Sequence, residues 1–230
     1  RSDKRRRIME PDARIVLGQL LLPLQHMEAQ RVLYRDLKPP NVVFSASGRL
    51  KLVDFAHAKR VEGSAPLADE RSQSVCGTPH YAAPETVRGE GHGLAATLWA
   101  VGVLHVEMLM GRAPFWEGGN AGPLKEQILA ASPDLTPLSD GAKAFAAALL
   151  TPDPAARLAN FDGRGFAGVR DHPYFGEGDD GRRALDWAAI EGGAIAPNFD
   201  FGLHAAQILG EAPDKPDAAV ESLSSVFADF

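Results

Sequence analysis

The chain has 230 residues, of which 45% are hydrophobic and 23% are charged, enough apolar material to bury a core as one globular domain. Its net charge of -6 argues against binding to nucleic acid or to an anionic membrane, so cationic or neutral surfaces are the expected partners. A single cysteine excludes an intrachain disulfide and is typical of a cytoplasmic protein. The longest apolar run, residues 15–24, is too short to cross a bilayer.

The chain begins with a basic lead-in, residues 1–9, whose charges favour a solvated segment rather than a binding site. Residues 10–12, Glu-Pro-Asp, are typical of a helix start, because proline fits the first turn and carboxylates complement the helix dipole. Apolar residues recur at helical spacing after them, at Ile15, Val16, Leu20, Leu24 and Met27. We expect a buried helix over residues 10–33, kinked at Pro23, which cannot donate a backbone hydrogen bond.

The stretch from Tyr34 to Asp54 predicts a loop followed by a β-hairpin. Strand-forming residues occupy 41–44 and 50–53, and the glycine at position 48 supplies a permissive backbone for the turn between them. Pairing these strands would bring Asn41 beside Asp54. A carboxylate and an amide oxygen side by side form a hard-oxygen site that suits Mg²⁺, completed by waters and phosphates.

Asp36 and Lys38 lie on the loop that leads into this hairpin. A second carboxylate near the metal site can orient a hydroxyl, and an ammonium group can neutralise phosphate charge. The combination therefore predicts phosphoryl transfer from a nucleotide.

Three motifs resemble those of eukaryotic protein kinases, in the same order and at kinase spacing. Residues 34–41, YRDLKPPN, resemble the catalytic loop, and residues 54–56, DFA, resemble the metal-binding Asp-Phe-Gly. Residues 76–85, CGTPHYAAPE, resemble the end of the activation segment. Tyr34, which stands in place of the usual histidine, points to the AGC group and in particular to its cyclic-nucleotide-dependent members.

The resemblance implies a role for each residue of this site. Asp36 is the implied catalytic residue that accepts the proton of the substrate hydroxyl, and Lys38 contacts the transferred phosphoryl group. Asn41 and Asp54 would hold the metal, so ATP and Mg²⁺ are the implied cofactors. Lys38 and residues 77–79, Gly-Thr-Pro, also imply serine or threonine acceptors rather than tyrosine.

The activation segment of such kinases is switched by phosphorylation, and the resemblance extends to the residues involved. Ser74 occupies the position that carries the phosphate, and Arg35 and Lys59 match the cations that pair with it. Thr78 belongs to the end of this segment. The alternative for Ser74 is an ordinary, unmodified loop serine.

Downstream, residues 99–110 are apolar on nearly every side, which predicts a helix at the centre of a lobe. Two further helices are expected over 124–131 and 141–150. Arg157 lies in an element that resembles the kinase pattern Asp-Pro-x-x-Arg-Leu. By that resemblance it forms a buried ion pair with Glu85.

Glu107, on the central helix, aligns with a residue that binds a substrate arginine in cyclic-nucleotide-dependent kinases. The resemblance therefore implies a protein substrate with basic residues near the acceptor. In the family a second glutamate, in the catalytic loop, shares this task, and its position holds Pro40 in this chain. The alternative for Glu107 is a helix-surface charge without a substrate role.

Two further positions depart from the family pattern. Ala56 replaces a glycine and restricts left-handed backbone conformations at the metal-binding turn. Thr97 replaces an aspartate that accepts hydrogen bonds from the backbone of the catalytic loop, and a hydroxyl replaces it poorly. We therefore expect this loop to be held less firmly.

Residues 163–168 match the pattern Gly-x-Gly-x-x-Gly of nucleotide-binding loops. They follow no predicted strand and lie downstream of the catalytic loop rather than upstream. We interpret them as a flexible loop.

The fold class implied by the resemblance is a mainly α protein kinase C-terminal lobe with a small β-hairpin, over residues 10–175. Residues 176–230 resemble the AGC kinase tail, in which Phe199 approaches the adenine and residues 227–230 form a terminal hydrophobic motif. No glycine-rich strand pair or strand lysine precedes Tyr34. We expect the N-terminal lobe to be missing from this sequence and to be supplied in a full-length protein.

Two functions are compatible with the sequence. The first is a serine/threonine protein kinase of the AGC group, seen as a fragment, which transfers the γ-phosphoryl group of ATP to a protein hydroxyl. The second is a catalytically inactive kinase-like interaction module that offers a docking surface. The retained catalytic-loop and metal-site residues favour the first function. The departures at positions 40, 56 and 97 and the missing N-terminal lobe favour the second.

Overall fold

The computed structural model describes residues 7–63, 67, 70, 72, 77–116, 123–178, 181, 183–198 and 220–222. Over these residues the fold is mostly helical with short strands, as the mainly α prediction requires. The α-helices are α1 Glu10–Ala29, α2 Pro84–Val87, α3 Leu94–Met110, α4 Leu124–Ala130, α5 Asp140–Leu149, α6 Pro154–Ala159, α7 Gly165–Arg170 and α8 Trp187–Gly192. The strands are β1 Val32–Leu33, β2 Val42–Ser45, β3 Leu50–Leu52, β4 Lys59–Arg60 and β5 Val220–Ser222. Among the described helices, none is both long and apolar enough to cross a membrane.

α1 begins where the sequence predicts, with a proline and acidic residues in its first turn, and it is continuous through Pro23. Its predicted end at Leu33 is wrong. The helix stops at Ala29, and Arg31 takes a left-handed φ of 58°. The next residues form β1, which pairs antiparallel with β4. This pairing with a distant segment is not visible in the local pattern.

α3 forms the centre of the fold. Nearly all of its side chains are buried, and α1, α5, α6 and α7 pack against it. Gly102 lets α5 approach closely, because a Cβ at this position would lie 2.8 Å from the Cβ of Leu149. A helix that is apolar on every side needs such cover all round, so α3 sets the positions of the surrounding helices.

β2 and β3 form the predicted hairpin, which is confirmed. They pair antiparallel, with Val42 opposite Leu52 and Phe44 opposite Leu50. Gly48 in the turn has a left-handed φ of 73°. β5 pairs antiparallel with the other edge of β2, which makes a three-stranded sheet. The hairpin brings the chain before β2 close to the chain after β3.

The Gly-x-Gly-x-x-Gly segment contains a helix, so its interpretation as a flexible loop is wrong. α7 begins at Gly165, and the N–H of Phe166 donates a hydrogen bond to the Glu28 carboxylate at 3.1 Å. Gly165 has a φ of 54°, and a Cβ added to it would lie 2.0 Å from an oxygen of the same carboxylate. The left-handed backbone favours glycine here, and a side chain would displace the Glu28 carboxylate, which short-range sequence patterns do not reveal.

The described residues after 175 run back over α1. The Arg14 guanidinium donates to the carbonyl oxygen of Arg183 at 3.0 Å. Near the start of the same helix, Asp12 Oδ1 accepts a hydrogen bond from the N–H of Asn198 at 2.8 Å. The segment 183–198 is therefore attached to the helix that packs against α3.

Candidate active site

The buried Asp36 carboxylate lies on the loop between β1 and β2. Lys38 Nζ lies 2.7 Å from its Oδ2 atom, and Asn41 Nδ2 donates to the same oxygen at 3.1 Å. Thr78 Oγ1 donates to Oδ1 at 3.2 Å. These donors offset the hydration that the carboxylate loses on burial. The structure thus brings together four residues that the sequence analysis assigned to the site.

Lys38 lies between the buried Asp36 carboxylate and solvent. The Lys38 side chain is 25% exposed, whereas that of Asp36 is 2% exposed. An ammonium group that contacts a buried carboxylate and still reaches solvent can also contact an incoming anion. The pair therefore offers a proton acceptor and a positive charge in the same small volume.

Asn41 and Asp54 are joined through the backbone of the hairpin. The N–H of Val53 donates to the carbonyl oxygen of Asn41 at 3.0 Å, so Asp54 directly follows a residue that is paired with Asn41. Asn41 is buried, whereas Asp54 is exposed and takes a left-handed φ of 58°. Asp54 Oδ1 accepts the N–H of Ala56 at 3.2 Å. In this turn the left-handed backbone falls on Asp54 and not on Ala56, so the methyl group of Ala56 is accommodated.

The oxygen donors at this place suit magnesium in kind. Asn41 supplies an amide oxygen and Asp54 an exposed carboxylate, which are hard ligands. In the described part of the chain, no group of three or more His, Cys, Asp or Glu side chains could hold a metal ion. Mg²⁺ keeps several waters and binds substrate phosphates, so two protein ligands suffice when phosphate oxygens complete the shell. The residues therefore fit Mg²⁺ that is bound together with a nucleotide.

Tyr34 fastens the catalytic loop to the chain beside Asp54. Its hydroxyl donates to the carbonyl oxygen of Val53, and its ring packs edge-on against Phe55 with 5.5 Å between centroids. Burial raises the pKa of the Tyr34 hydroxyl, and the charges of Asp36 and Asp54 raise it further. The hydroxyl therefore remains a donor at neutral pH. The sequence analysis used Tyr34 only as a family marker, because its contact with Val53 depends on the folded hairpin.

Arg35 and Lys59 converge on the hydroxyl of Ser72. Arg35 Nη1 donates to Ser72 Oγ at 2.7 Å, and Lys59 Nζ lies 3.5 Å from the same atom. Arg35 takes a left-handed φ of 69° and also donates from Nε to the His57 carbonyl oxygen at 2.6 Å. The sequence analysis favoured Ser74 as the partner of these cations and did not single out Ser72. Ser74 lies outside the described residues.

Arg157 and Glu85 are in contact as a buried ion pair. Arg157 Nη1 lies 2.8 Å from Glu85 Oε1, and Nη2 lies 3.1 Å from Oε2. The guanidinium also donates to the carbonyl oxygens of Ala95, Thr151 and Pro152. The Trp99 ring centroid lies 5.0 Å from the guanidinium carbon. A buried charge is tolerated when it is paired in this way, so the contact ties α2 to α6.

Glu107 accepts a hydrogen bond from the Tyr81 hydroxyl. Burial raises the pKa of both groups, and for Tyr81 the charge of Glu107 adds to this effect. The contact ties α3 to the 3-10 turn at Pro79–Tyr81. One carboxylate oxygen of Glu107 is therefore already bonded within the chain, and its role toward a substrate stays a prediction.

The other predicted positions fall in different surroundings. Phe199 and residues 227–230 lie outside the described residues. Pro40 is exposed in a 3-10 turn that leads into β2. Thr97 is buried in the first turn of α3, and its hydroxyl has no hydrogen-bond partner among the residues that the structure describes. The departure at Thr97 thus leaves a buried polar atom beside the catalytic loop, whose residues Arg35 to Leu37 border the same cavity.

Comparison with known proteins identifies relatives of this chain. The family described as the protein kinase domain matches residues 1–175. The serine/threonine-protein kinase AtPK1/AtPK6 of Arabidopsis thaliana is 34% identical over 191 residues, which cover 81% of this chain and 37% of that protein. A cAMP-dependent protein kinase catalytic subunit of Arthrobotrys oligospora is 34% identical over 197 residues, covering 85% and 35%. Protein kinase C zeta type of Oryctolagus cuniculus is 32% identical over 213 residues, covering 87% and 34%.

The chain spans little more than a third of the length of these curated relatives. The family match covers most of the chain and includes the loop with Asp36, the hairpin and the Glu85–Arg157 pair. All three relatives are named as protein kinases, and the plant relative is named as a serine/threonine-protein kinase. The chain therefore belongs to the protein kinase family, among its AGC-like members.

Proposed function

We propose that this chain forms the C-terminal lobe, residues 10–175, and the tail, residues 176–230, of a serine/threonine protein kinase. The proposed reaction transfers the γ-phosphoryl group of ATP to a protein serine or threonine hydroxyl. The observation that carries this proposal is the buried Asp36 carboxylate, with Lys38 Nζ at 2.7 Å and Asn41 Nδ2 at 3.1 Å. Lys38 and Asn41 give this single proton acceptor a defined orientation next to a positive charge.

In the proposed reaction, Asp36 accepts the proton of the substrate hydroxyl while the hydroxyl oxygen bonds to the γ-phosphorus. The bond between that phosphorus and the bridging oxygen breaks, and ADP leaves. Thr78 and Asn41 donate to opposite oxygens of Asp36 and thereby fix the plane of its carboxylate. Lys38 contacts the transferred group. Asn41 and Asp54 hold Mg²⁺, which neutralises phosphate charge when it is bound.

The proposal includes an N-terminal lobe that covers the nucleotide on the side away from Asn41 and Asp54. Phe55, next to Asp54, is 53% exposed, and a large exposed apolar side chain beside a polar site supports a contact surface. A nucleotide on the oxygens of Asn41 and Asp54 would face solvent on that side. We place an N-terminal lobe of the full-length protein there, with Phe199 of the tail beside the adenine.

Regulation and substrate choice complete the proposal. A phosphate on Ser74 would lie two residues from Ser72, whose hydroxyl already attracts Arg35 and Lys59. Glu107 would bind a basic residue near the acceptor of a protein substrate. The proposed location is the cytoplasm.

Phosphorylation assays on the full-length protein test the transfer step. With ATP and Mg²⁺, the wild type should phosphorylate serine and threonine in a basic peptide library. Asp36→Asn should lower the rate about 100-fold to 10,000-fold, because it removes the proton acceptor. Asp171→Asn is the matched control, since this carboxylate pairs with Arg164 at the surface and should leave the rate unchanged. Equal rates for the wild type and Asp36→Asn would refute the proposal.

A second candidate function is a kinase-like interaction module without catalysis. The observation that favours it is the buried Thr97 hydroxyl beside the catalytic loop, which lacks a partner within the described part of the chain. Calorimetry of the full-length protein with ATP and Mg²⁺ separates the two functions. A catalytic protein should bind the nucleotide and lose metal-dependent affinity on Asp54→Ala, whereas a pure interaction module should bind no nucleotide.

A further inference from the structure

A small cavity, lined by both polar and apolar side chains, lies between the catalytic loop and the start of α3. Its volume, at the scale of a water molecule, is about 10 Å³. The residues around it include Arg35, Asp36, Thr78, Thr86, His92 and Thr97. A single buried water needs roughly 10 to 15 Å³ of this kind of volume, so the cavity matches the size of one water.

Three side chains around this cavity are buried without a hydrogen-bond partner. They are Thr97 at Oγ1, Thr86 at Oγ1 and His92 at both ring nitrogens, within the part of the chain that the structure describes. Each residue is more than nine-tenths buried. Buried polar atoms are nearly always paired with protein or with ordered water. Several such atoms around one cavity therefore indicate a shared partner inside it.

The chemistry of the three side chains suits a neutral partner that both donates and accepts. Burial, reinforced by the charge of Arg35, lowers the pKa of His92 to about 4. At neutral pH its ring therefore has one N–H donor and one acceptor nitrogen. Each threonine hydroxyl also donates and accepts. Water, which does both and bonds to two to four polar groups when buried, matches this set.

We propose that the cavity holds one ordered water, bound by Thr97, His92 and Thr86, that positions the catalytic loop. The loop residues Arg35 and Asp36 border the same cavity, and the proposed water bonds to the backbone of this loop. His92 is the central positioning residue. The inference is independent of the proposed phosphoryl transfer, because no step of that reaction enters it.

His92 also links the cavity to the activation segment. Its backbone N–H donates to the Ser72 carbonyl at 2.8 Å, and its carbonyl accepts the Ser72 N–H at 2.9 Å. The Ser72 hydroxyl accepts the hydrogen bond of Arg35 Nη1. The water therefore closes a ring of contacts that runs from the catalytic loop through Ser72 and His92 and back to the loop.

Hydrogen exchange at the backbone amides of residues 35–37, measured on this chain, tests the water. Thr97→Val keeps the side-chain shape and removes the hydroxyl, so exchange at these amides should become about tenfold faster, the effect of one lost hydrogen bond. Thr97→Ser retains a hydroxyl and should exchange like the wild type. Equal exchange in the valine and serine variants would overturn the proposal.

Thr151→Val is the matched control for this series. Thr151 Oγ1 donates to the Ala147 carbonyl and accepts from Asn160 Nδ2, away from the cavity. The Thr151→Val variant should leave hydrogen exchange at residues 35–37 unchanged. Amides of α1 report on the stability of the whole fold and should not change in Thr97→Val. Faster exchange throughout the chain would instead assign Thr97 a purely structural role and overturn the proposal.

A double variant distinguishes a shared water from separate contacts. His92→Phe keeps a ring and removes both nitrogens, so it should accelerate exchange at residues 35–37 as Thr97→Val does. If one water serves both residues, the double variant should exchange no faster than the faster single variant. Effects that multiply would overturn the proposal, as would a high-resolution crystal structure with an empty cavity.

Discussion

Arg157 and Thr97 are both buried, but they differ in how their polar atoms are paired. The Arg157 guanidinium is bonded to Glu85 and to backbone carbonyls, so the end of the activation segment is held by direct contacts. The Thr97 hydroxyl and the His92 ring nitrogens have no hydrogen-bond partner among the described residues. The guanidinium is therefore held by direct protein contacts, whereas the polar groups beside Asp36 depend on the water proposed for the cavity.

The largest effect should come from breaking the ion pair between Arg157 and Glu85. Arg157→Ala leaves the Glu85 carboxylate buried without its counter-charge, which should lower the free energy of unfolding by about 3 to 5 kcal/mol. Denaturant titration measures this change. Arg164→Ala, which removes an exposed ion pair with Asp171, is the control and should leave the midpoint in place. A parent-like midpoint for Arg157→Ala would show that the pair does not anchor the fold.

Acidification should destabilise the fold through two buried histidines, one of which lies at the cavity. Burial lowers the pKa of His92 and of His105 to about 4, from 6.5 in the unfolded chain. Since the unfolded chain binds protons more readily, the stability from each neutral ring is complete above pH 6.5 and is lost as pH falls toward 4. Going from pH 7 to pH 5 should cost roughly 2 kcal/mol for each histidine.

Thermal unfolding between pH 5 and pH 7 measures this dependence. His92→Phe and His105→Leu should each flatten the profile, although the His105 ring bonds to the Ala142 carbonyl and the His92 ring has no partner among the described residues. His26→Gln changes an exposed histidine and should keep the slope of the parent. A slope that survives both buried substitutions would place the titrating groups elsewhere.

A smaller effect is expected at the contact between the activation segment and the catalytic loop. Gly77 has a φ of 96°, and an added Cβ would lie 2.8 Å from the carbonyl oxygen of Arg35. Gly89 also has a left-handed φ, of 79°, but has open space around it. Gly77→Ala should therefore destabilise the fold by about 1 kcal/mol beyond Gly89→Ala. Equal midpoints in urea would mean that the segment moves away at no cost.

The smallest effect concerns the serine held by the two cations. Ser72→Ala removes the hydroxyl that accepts from Arg35 and Lys59, which should cost about 1 kcal/mol of unfolding free energy. Ser74→Ala is the matched control and should cost less in the unphosphorylated protein. If chemical denaturation showed a larger loss of unfolding free energy for Ser74→Ala than for Ser72→Ala, Ser74 would be the partner of the two cations.

The sequence predicts the core of the site because its residues are close in the chain. Asp36, Lys38 and Asn41 share one short loop, and alternating strand formers with Gly48 define the hairpin that follows. The approach of Val53 to Asn41 follows from that register. Local patterns therefore suffice wherever neighbouring residues make the contact.

The remaining features depend on partners that are distant in sequence. α1 stops before Leu33 because β1 pairs with β4, and Gly165 enters a helix because Glu28 caps it from α1. The cavity between His92 and Thr97 exists only after α3 packs beside the catalytic loop. No short-range pattern encodes these approaches, so sequence analysis missed them.

The third strand of the small sheet determines which strand edges are open to pairing with another molecule. A strand whose edge is open can template pairing with a second molecule, which begins aggregation. β3 covers one edge of β2, and the backbone of Val220–Ser222 covers the other. The strand that follows Asn41 is thereby paired on both sides, and the outer edges of this sheet fall on β3 and β5.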